Sequence, residues 1–114
     1  MATDKGLLAG NTSMLILKLL EKKDMYGYQM IEELSKKSDQ TFKLKAGTLY
    51  PILHDLENKG ALNAYDARAD SGRVRKYYQI TRSGQKLLAS KQADWQAYAK
   101  AVDSVLGGVG YAGV

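Results

Sequence analysis

Between Asn11 and Lys22 the residues Met14, Leu15, Ile16, Leu17, Leu19 and Leu20 cover most of a helical wheel, leaving one polar strip. That pattern predicts a largely buried helix. Lys22-Lys23-Asp24 interrupts it, and Tyr26-Gly27-Tyr28 leads into a second helix that repeats Tyr28, Ile31 and Leu34 at a spacing of three and ends near Lys37. Ser38 to Lys45 is a short polar connection with some extended character around Phe42 and Leu44. Leu49, Ile52, Leu53 and Leu56 then form an i, i+3, i+4, i+7 stripe, the mark of a third helix. Pro51 suits only a first turn, which predicts a start between Ala46 and Thr48, and Gly60 is free to close the helix in a left-handed conformation.

The period then changes. Leu62 to Asp66 and Arg75 to Ile80 read as two strands, and the stretch from Ala67 to Val74 between them is too long for a two-residue hairpin turn, so the pair forms a wing. Thr81 is suited to cap a last helix from Arg82 to Leu106, whose Leu87, Leu88, Trp95, Ala99, Val102 and Leu106 make a long stripe. Gly107 to Val114 carries four glycines in eight residues and is expected to fray.

The predicted order is helix, helix, helix, strand, strand, long helix. This is a mainly α fold with a small antiparallel β-wing: a winged helix-turn-helix over residues 1–81, a dimerisation helix over 82–106 and a flexible tail over 107–114. The last helix would span about 37 Å at 1.5 Å per residue, more than so small a domain can cover. Its far half needs a partner. With 114 residues and 45% hydrophobic side chains the chain reads as one small globular domain. A chain of this size buries only about two-thirds of its unfolded surface, which also favours oligomerisation.

The absence of cysteine excludes disulfides, Cys-ligated metal and a thiol nucleophile, and makes the cytoplasm the expected compartment. Met14 to Leu20 is too short to span a bilayer and lacks the pattern of a signal peptide, so no membrane role is expected. The net charge is +5. Residues 45–83 hold 7 basic and 4 acidic side chains, and so supply +3 of that excess. Such a concentration suits a polyanionic partner.

Gly47-Thr48-Leu49-Tyr50-Pro51-Ile52-Leu53, Leu56-Glu57, Gly60, and Arg75-Lys76-Tyr77-Tyr78-Gln79-Ile80-Thr81 with Gly84 together resemble the PadR family of bacterial transcriptional regulators. Leu15 to Leu20 and Tyr26-Gly27-Tyr28 extend the resemblance, which covers roughly residues 11–106. Asp55, where members often carry a basic residue, and Val74, near which they often carry Pro or Gly, depart from the pattern. The single last helix resembles the compact branch, which includes multidrug-responsive repressors. The resemblance implies a homodimeric repressor that binds double-stranded DNA at a two-fold symmetric operator and releases it for a small planar aromatic effector.

Read from the residues, the third helix is the one expected in the major groove, presenting Lys45, Thr48, Tyr50 and His54 opposite its apolar stripe. Tyr50 either reaches the groove or packs against the wing, and His54 is either a contact or a surface residue. Arg73, Arg75 and Lys76, with no acid as far as Arg82, make a wing tip able to straddle a phosphate backbone. Tyr77 and Tyr78 point to opposite faces, and Tyr77 is expected outward with Arg75. Leu88, Trp95 and Val102 recur at seven with Ala99 and Leu106 between, the pattern of a dimer seam. Trp95 either anchors that seam or, as in the drug-responsive relatives, also stacks on an effector, with Met14, Leu15 and Lys18 as walls. The rival reading is a winged-helix protein-interaction module that never touches nucleic acid. Catalysis has no basis: His54 and Asp55 are adjacent and point about 100° apart on a helix, and no metal or cofactor motif is present, so no cofactor is expected.

Overall fold

The computed structural model describes residues 5–107, with side chains from residue 10 onward. The elements are α1 (Lys5–Lys22), β1 (Met25–Tyr26), α2 (Gly27–Lys37), α3 (Ala46–Asn58), β2 (Leu62–Arg68), β3 (Val74–Ile80) and α4 (Arg82–Leu106). This is a mainly helical winged helix with a long last helix, as the patterning predicts. Of the expected glycine-rich tail only Gly107 is described, as the cap of α4 at φ 127°; residues 108–114 lie outside the described residues.

Three boundaries differ from the sequence reading. Helix α1 starts at Lys5, six residues before Asn11, because Gly10-Asn11-Thr12-Ser13 imitates a helix start while the backbone runs through it helically. Helix α3 starts at Ala46, inside the expected range, although Pro51 is its sixth residue and lies past the first turn, so the Gly47 carbonyl receives no amide from it. The wing strands reach Arg68 and begin at Val74, leaving a five-residue loop. Within that loop the Gly72 amide donates to the Ala69 carbonyl at 2.8 Å with Gly72 at φ 88°, and Arg68 Nη1 donates to the Gly72 carbonyl at 2.8 Å.

The sheet has a third strand that patterning did not find. Strand β1 is two residues long, too short for a period to register, and it adds to β3 on the side away from β2, giving the order β1-β3-β2. Met25 pairs with Tyr78 and Tyr26 with Tyr77, while β2 pairs Ala64 with Tyr78, Tyr65 with Tyr77 and Ala67 with Arg75. Cross-strand partners share a face. Tyr78, with Leu62 and Ile80, therefore faces inward, whereas Tyr26, Tyr65, Tyr77, Arg75 and Gln79 face outward.

The core lies between the helices and the inner sheet face. Ile16, Leu17 and Leu20 of α1 meet Met30 and Leu34 of α2, Leu49, Leu53 and Leu56 of α3, Leu62 and Tyr78 of the wing, and Leu88 of α4, all buried. Burial pushes the Tyr78 phenol above its usual pKa of 10.0, with nearby Lys76 pulling the other way. Helix α4 enters close to this core: a Cβ on Gly84 would overlap the Ala61 carbonyl oxygen, so only glycine admits the approach. Thr81 fixes the entry, its hydroxyl donating to the Gly60 carbonyl at 2.7 Å and accepting from the Gly84 amide at 3.0 Å.

Candidate nucleic-acid interface

Helix α3 turns Leu49, Leu53 and Leu56 into the core and leaves Lys45, Thr48, Tyr50 and His54 on the exposed side. Lys45 occupies the N-cap position without a side-chain cap, so the first amides of α3 face outward unclaimed by a neighbouring side chain. Asp55 pairs with Lys59 one turn on at 2.9 Å, and so its charge is balanced within the helix. Tyr50 has a second contact. Its ring lies against the backbone of Gly27, where any Cβ would collide with the hydroxyl, yet the side chain remains 48% exposed. The sequence offered groove or wing for Tyr50; the structure adds the first residue of α2 as its support.

The wing separates residues that are adjacent in sequence. Arg75 lies on the outer face with its guanidinium carbon 5.2 Å from the centroid of Tyr26, and its Nε is buried with no hydrogen-bond partner. The terminal nitrogens of that guanidinium are the donors left for a ligand. Lys76 lies on the inner face, with its Nζ 3.9 Å from Glu57 of α3 and 5.6 Å from the centroid of Tyr78. Grouping Arg75 with Lys76 from their adjacency overlooked the two-residue period of a strand. Arg73 and Arg68 are exposed at the tip.

Tyr77 points outward as its spacing predicts, and it is half-buried between two rings: Tyr26 at 5.4 Å edge-on and Tyr65 at 5.8 Å stacked. The Tyr65 hydroxyl donates to Asp24 Oδ2, and Gln79 Nε2 donates to the same oxygen at 3.4 Å. That bond is the main cause that raises the Tyr65 phenol above 10.0, since it favours the protonated form. The wing is thereby tied to the segment that follows α1.

Beside α4 a groove of about 350 Å³ is lined by Gly10, Asn11 and Met14 of α1 and by Lys91, Asp94, Trp95 and Tyr98. The Trp95 and Tyr98 rings are 6.0 Å apart and tilted by 34°. Of the three α1 residues expected here, only Met14 is present. Leu15 is turned about 100° from Met14 and packs on the core, and Lys18 pairs with Glu21 at 2.9 Å and borders a different groove. Leu88 is also misplaced by the seven-residue repeat: at 2% exposure it belongs to the core of its own chain and has no surface for a second one. Ala99 and Val102 are half-buried, and Trp95, Tyr98, Val105 and Leu106 are exposed.

Residues 16–90 match the Transcriptional regulator PadR-like family. The chain belongs to that family. It is 34% identical over 85 residues to the transcriptional regulator Rv3488 of Mycobacterium tuberculosis, covering 75% of this chain and 73% of that one. Among solved structures it superimposes on a transcriptional regulator from Clostridium thermocellum with a TM-score of 0.80 at 29% identity, covering 88% of this chain and 97% of the other. A PadR family transcriptional regulator from Eggerthella lenta gives 0.77 at 30% identity, covering 90% and 87%. The family and these neighbours are regulators of transcription, not enzymes.

Three exposed apolar residues lie outside the set of site residues expected from the sequence. Tyr28, expected on the apolar stripe of α2 with Ile31 and Leu34, is instead 58% exposed at the second position of the helix, and Met30 takes the buried place beside Leu34. Tyr98 and Val105 stand beside Trp95 and Val102 on α4 at spacings of three and four. Their heptad spacing was the available signal. Among the described residues no group of His, Asp and Glu could hold a metal, and no helix is long and apolar enough to cross a membrane.

Proposed function

We propose that this PadR-like regulator is a homodimeric, double-stranded-DNA-binding repressor that reads a two-fold symmetric operator and lets go when a small planar aromatic compound enters the groove beside Trp95. The observation that carries the reading is the asymmetry of α4: its first turns are part of the core, while Trp95, Tyr98, Val102 and Val105 present an apolar ladder at spacings of three, four and three. Such a ladder is the seam of two coiled helices. A two-fold dimer formed there carries two copies of α3 and of the wing, and so calls for half-sites about one helical turn of DNA apart or a multiple of it.

Within this reading Lys45, Thr48 and His54 face base edges and phosphates, Tyr50 contributes from its seat on Gly27, and Arg73 and Arg75 hold the flanking backbone. Arg75 is pre-oriented by Tyr26, which lowers the ordering cost of a phosphate contact. Tyr77 supports Arg75 from the same face. Lys76 adds positive potential at longer range. An effector between Trp95 and its symmetry mate would favour one crossing of the α4 helices over another, and with it one separation of the two α3 helices.

Selection of duplex fragments by the purified protein, with and without planar dyes, tests the reading, followed by Trp95 fluorescence. Saturable quenching by dyes at micromolar concentration, accompanied by release of the selected duplex, supports it. A protein with no steep salt dependence on any duplex is no DNA-binding regulator. Quenching that does not saturate removes the effector and leaves the dimer.

A further inference from the structure

A second groove lies on the body of the domain, formed by α1, β1 and α2 with nothing from α3, the wing loop or α4. Its lining residues are Lys18, Leu19, Lys22, Lys23, Met25, Glu33 and Lys37, around about 300 Å³ of space. Leu19 and Met25 are core residues, 5% and 3% exposed, whose outer edges form the floor. The rim is cationic. Lys18 has Glu21 at 2.9 Å and Lys37 has Glu33 at 3.8 Å, but Lys22 and Lys23 have no acidic partner among the described residues. Two unbalanced cations thus flank an apolar pit.

The place of this rim differs from that of the proposed DNA surface. Lys22 and Lys23 lead into Asp24, whose carboxylate is held by Tyr65 and by Gln79, near the C-terminal end of β3 and away from Arg73 in the wing loop. Nucleic acid backbone is satisfied by cations alone and has no use for an apolar floor. A protein segment uses both parts, because an apolar anchor fills a pit while acidic neighbours meet a cationic rim and set the orientation.

We infer that the groove between α1 and α2 is a docking site for an acidic protein segment carrying one apolar anchor residue, with Leu19 and Met25 receiving the anchor and Lys22 and Lys23 receiving the flanking carboxylates. The site would let the protein hold a second protein while α3 and the wing hold DNA. It does not depend on the identity of the operator or of any effector.

The test uses the full chain and a fluorescein-labelled twelve-residue peptide of Asp, Glu and Ser with one central Leu, beside the same peptide with that Leu replaced by Ser. Saturable binding is expected for the Leu peptide, at least tenfold tighter than for the Ser peptide. Lys22→Glu with Lys23→Glu should weaken the Leu peptide at least tenfold while the circular dichroism spectrum and the affinity for random duplex DNA stay within twofold. Equal binding of the two peptides would reduce the groove to unspecific charge attraction and overturn the proposal. So would no saturable binding of either. A double variant that lost DNA affinity and kept the peptide would assign these lysines to the DNA surface instead.

Discussion

The two halves of α4 follow the same amphipathic pattern and have opposite fates. In the first half Gly84 lies against the Ala61 carbonyl and Leu88 is sealed in the core. In the second half Trp95, Tyr98, Val105 and Leu106 are 40%, 59%, 87% and 60% exposed. The molecule is accordingly elongated, 52 × 31 × 22 Å. The difference shows that an apolar stripe records where water is excluded without recording which chain excludes it. The near half is stabilised from within, and the far half calls for a surface outside the described fold.

The largest effect should come from the near half. Leu88→Ala is expected to cost about 2–5 kcal/mol, through lost burial and the cavity left behind. Chemical denaturation followed over a range of protein concentrations measures it, and the loss should be the same at every concentration. A loss that vanished on dilution would move Leu88 into an interface and erase the contrast between the halves.

Next comes the far half. Tyr98→Glu with Val105→Glu should leave the helical signal of the domain in place and weaken self-association by more than a hundredfold in sedimentation, because like charges would meet across a two-fold seam. Specific DNA binding should fall with it. Variants that sediment as the parent does would put the seam elsewhere.

The contrast extends to the wing, where Arg75 and Lys76 are neighbours on opposite faces. Arg73→Ala with Arg75→Ala removes two contacts per chain and four per dimer, so the log-log salt slope of duplex binding should flatten by about 3 to 4. Lys76→Ala should change it by less than 1, given its place beside Glu57. Equal slopes for the two variants would show that the sheet face does not sort these cations.

The smallest effect concerns Tyr65. Its phenol should titrate above 10.0 in carbon-detected NMR, and Asp24→Asn should bring it back toward the ordinary value, since the bond to Asp24 is the leading cause of the shift. Because the folded state raises this pKa, the associated stabilisation is complete below pH 10 and fades as pH climbs past the folded value. A Tyr65 titration unmoved by Asp24→Asn would mean that the wing is not tied to the end of α1.

The helices were legible because their stripes are long enough for a period to show, and Thr81 announced the start of α4. What escaped had physical causes. The two residues of β1 are fixed by their register with Tyr77 and Tyr78, a long-range fact that no local window contains. Leu88 fits the seven-residue repeat of Trp95 and Val102 and yet belongs to the domain, because a period continues smoothly through the point where a helix leaves its own core. At the candidate interface the run of cations could be read, but its division between faces could not until the strand limits were known. Tyr50 was left between a groove contact and packing against the wing, and the support added by the structure depends on a missing Cβ at Gly27, twenty-three positions earlier.

Only Thr81 separates β3 from α4, and its backbone amide also donates to the Ala61 carbonyl, at 3.0 Å. No slack remains between the wing and the arm that projects from it. In a dimer joined along the far halves of two such arms, each DNA-reading head would turn about a distant pivot. From Arg82 to the middle of the Trp95–Val105 ladder the arm is about 27 Å, so a change of about 7° at the crossing sweeps a head through about 3 Å, close to the rise of one base pair. A modest adjustment at the pivot would be enough to put one head out of step with its half-site.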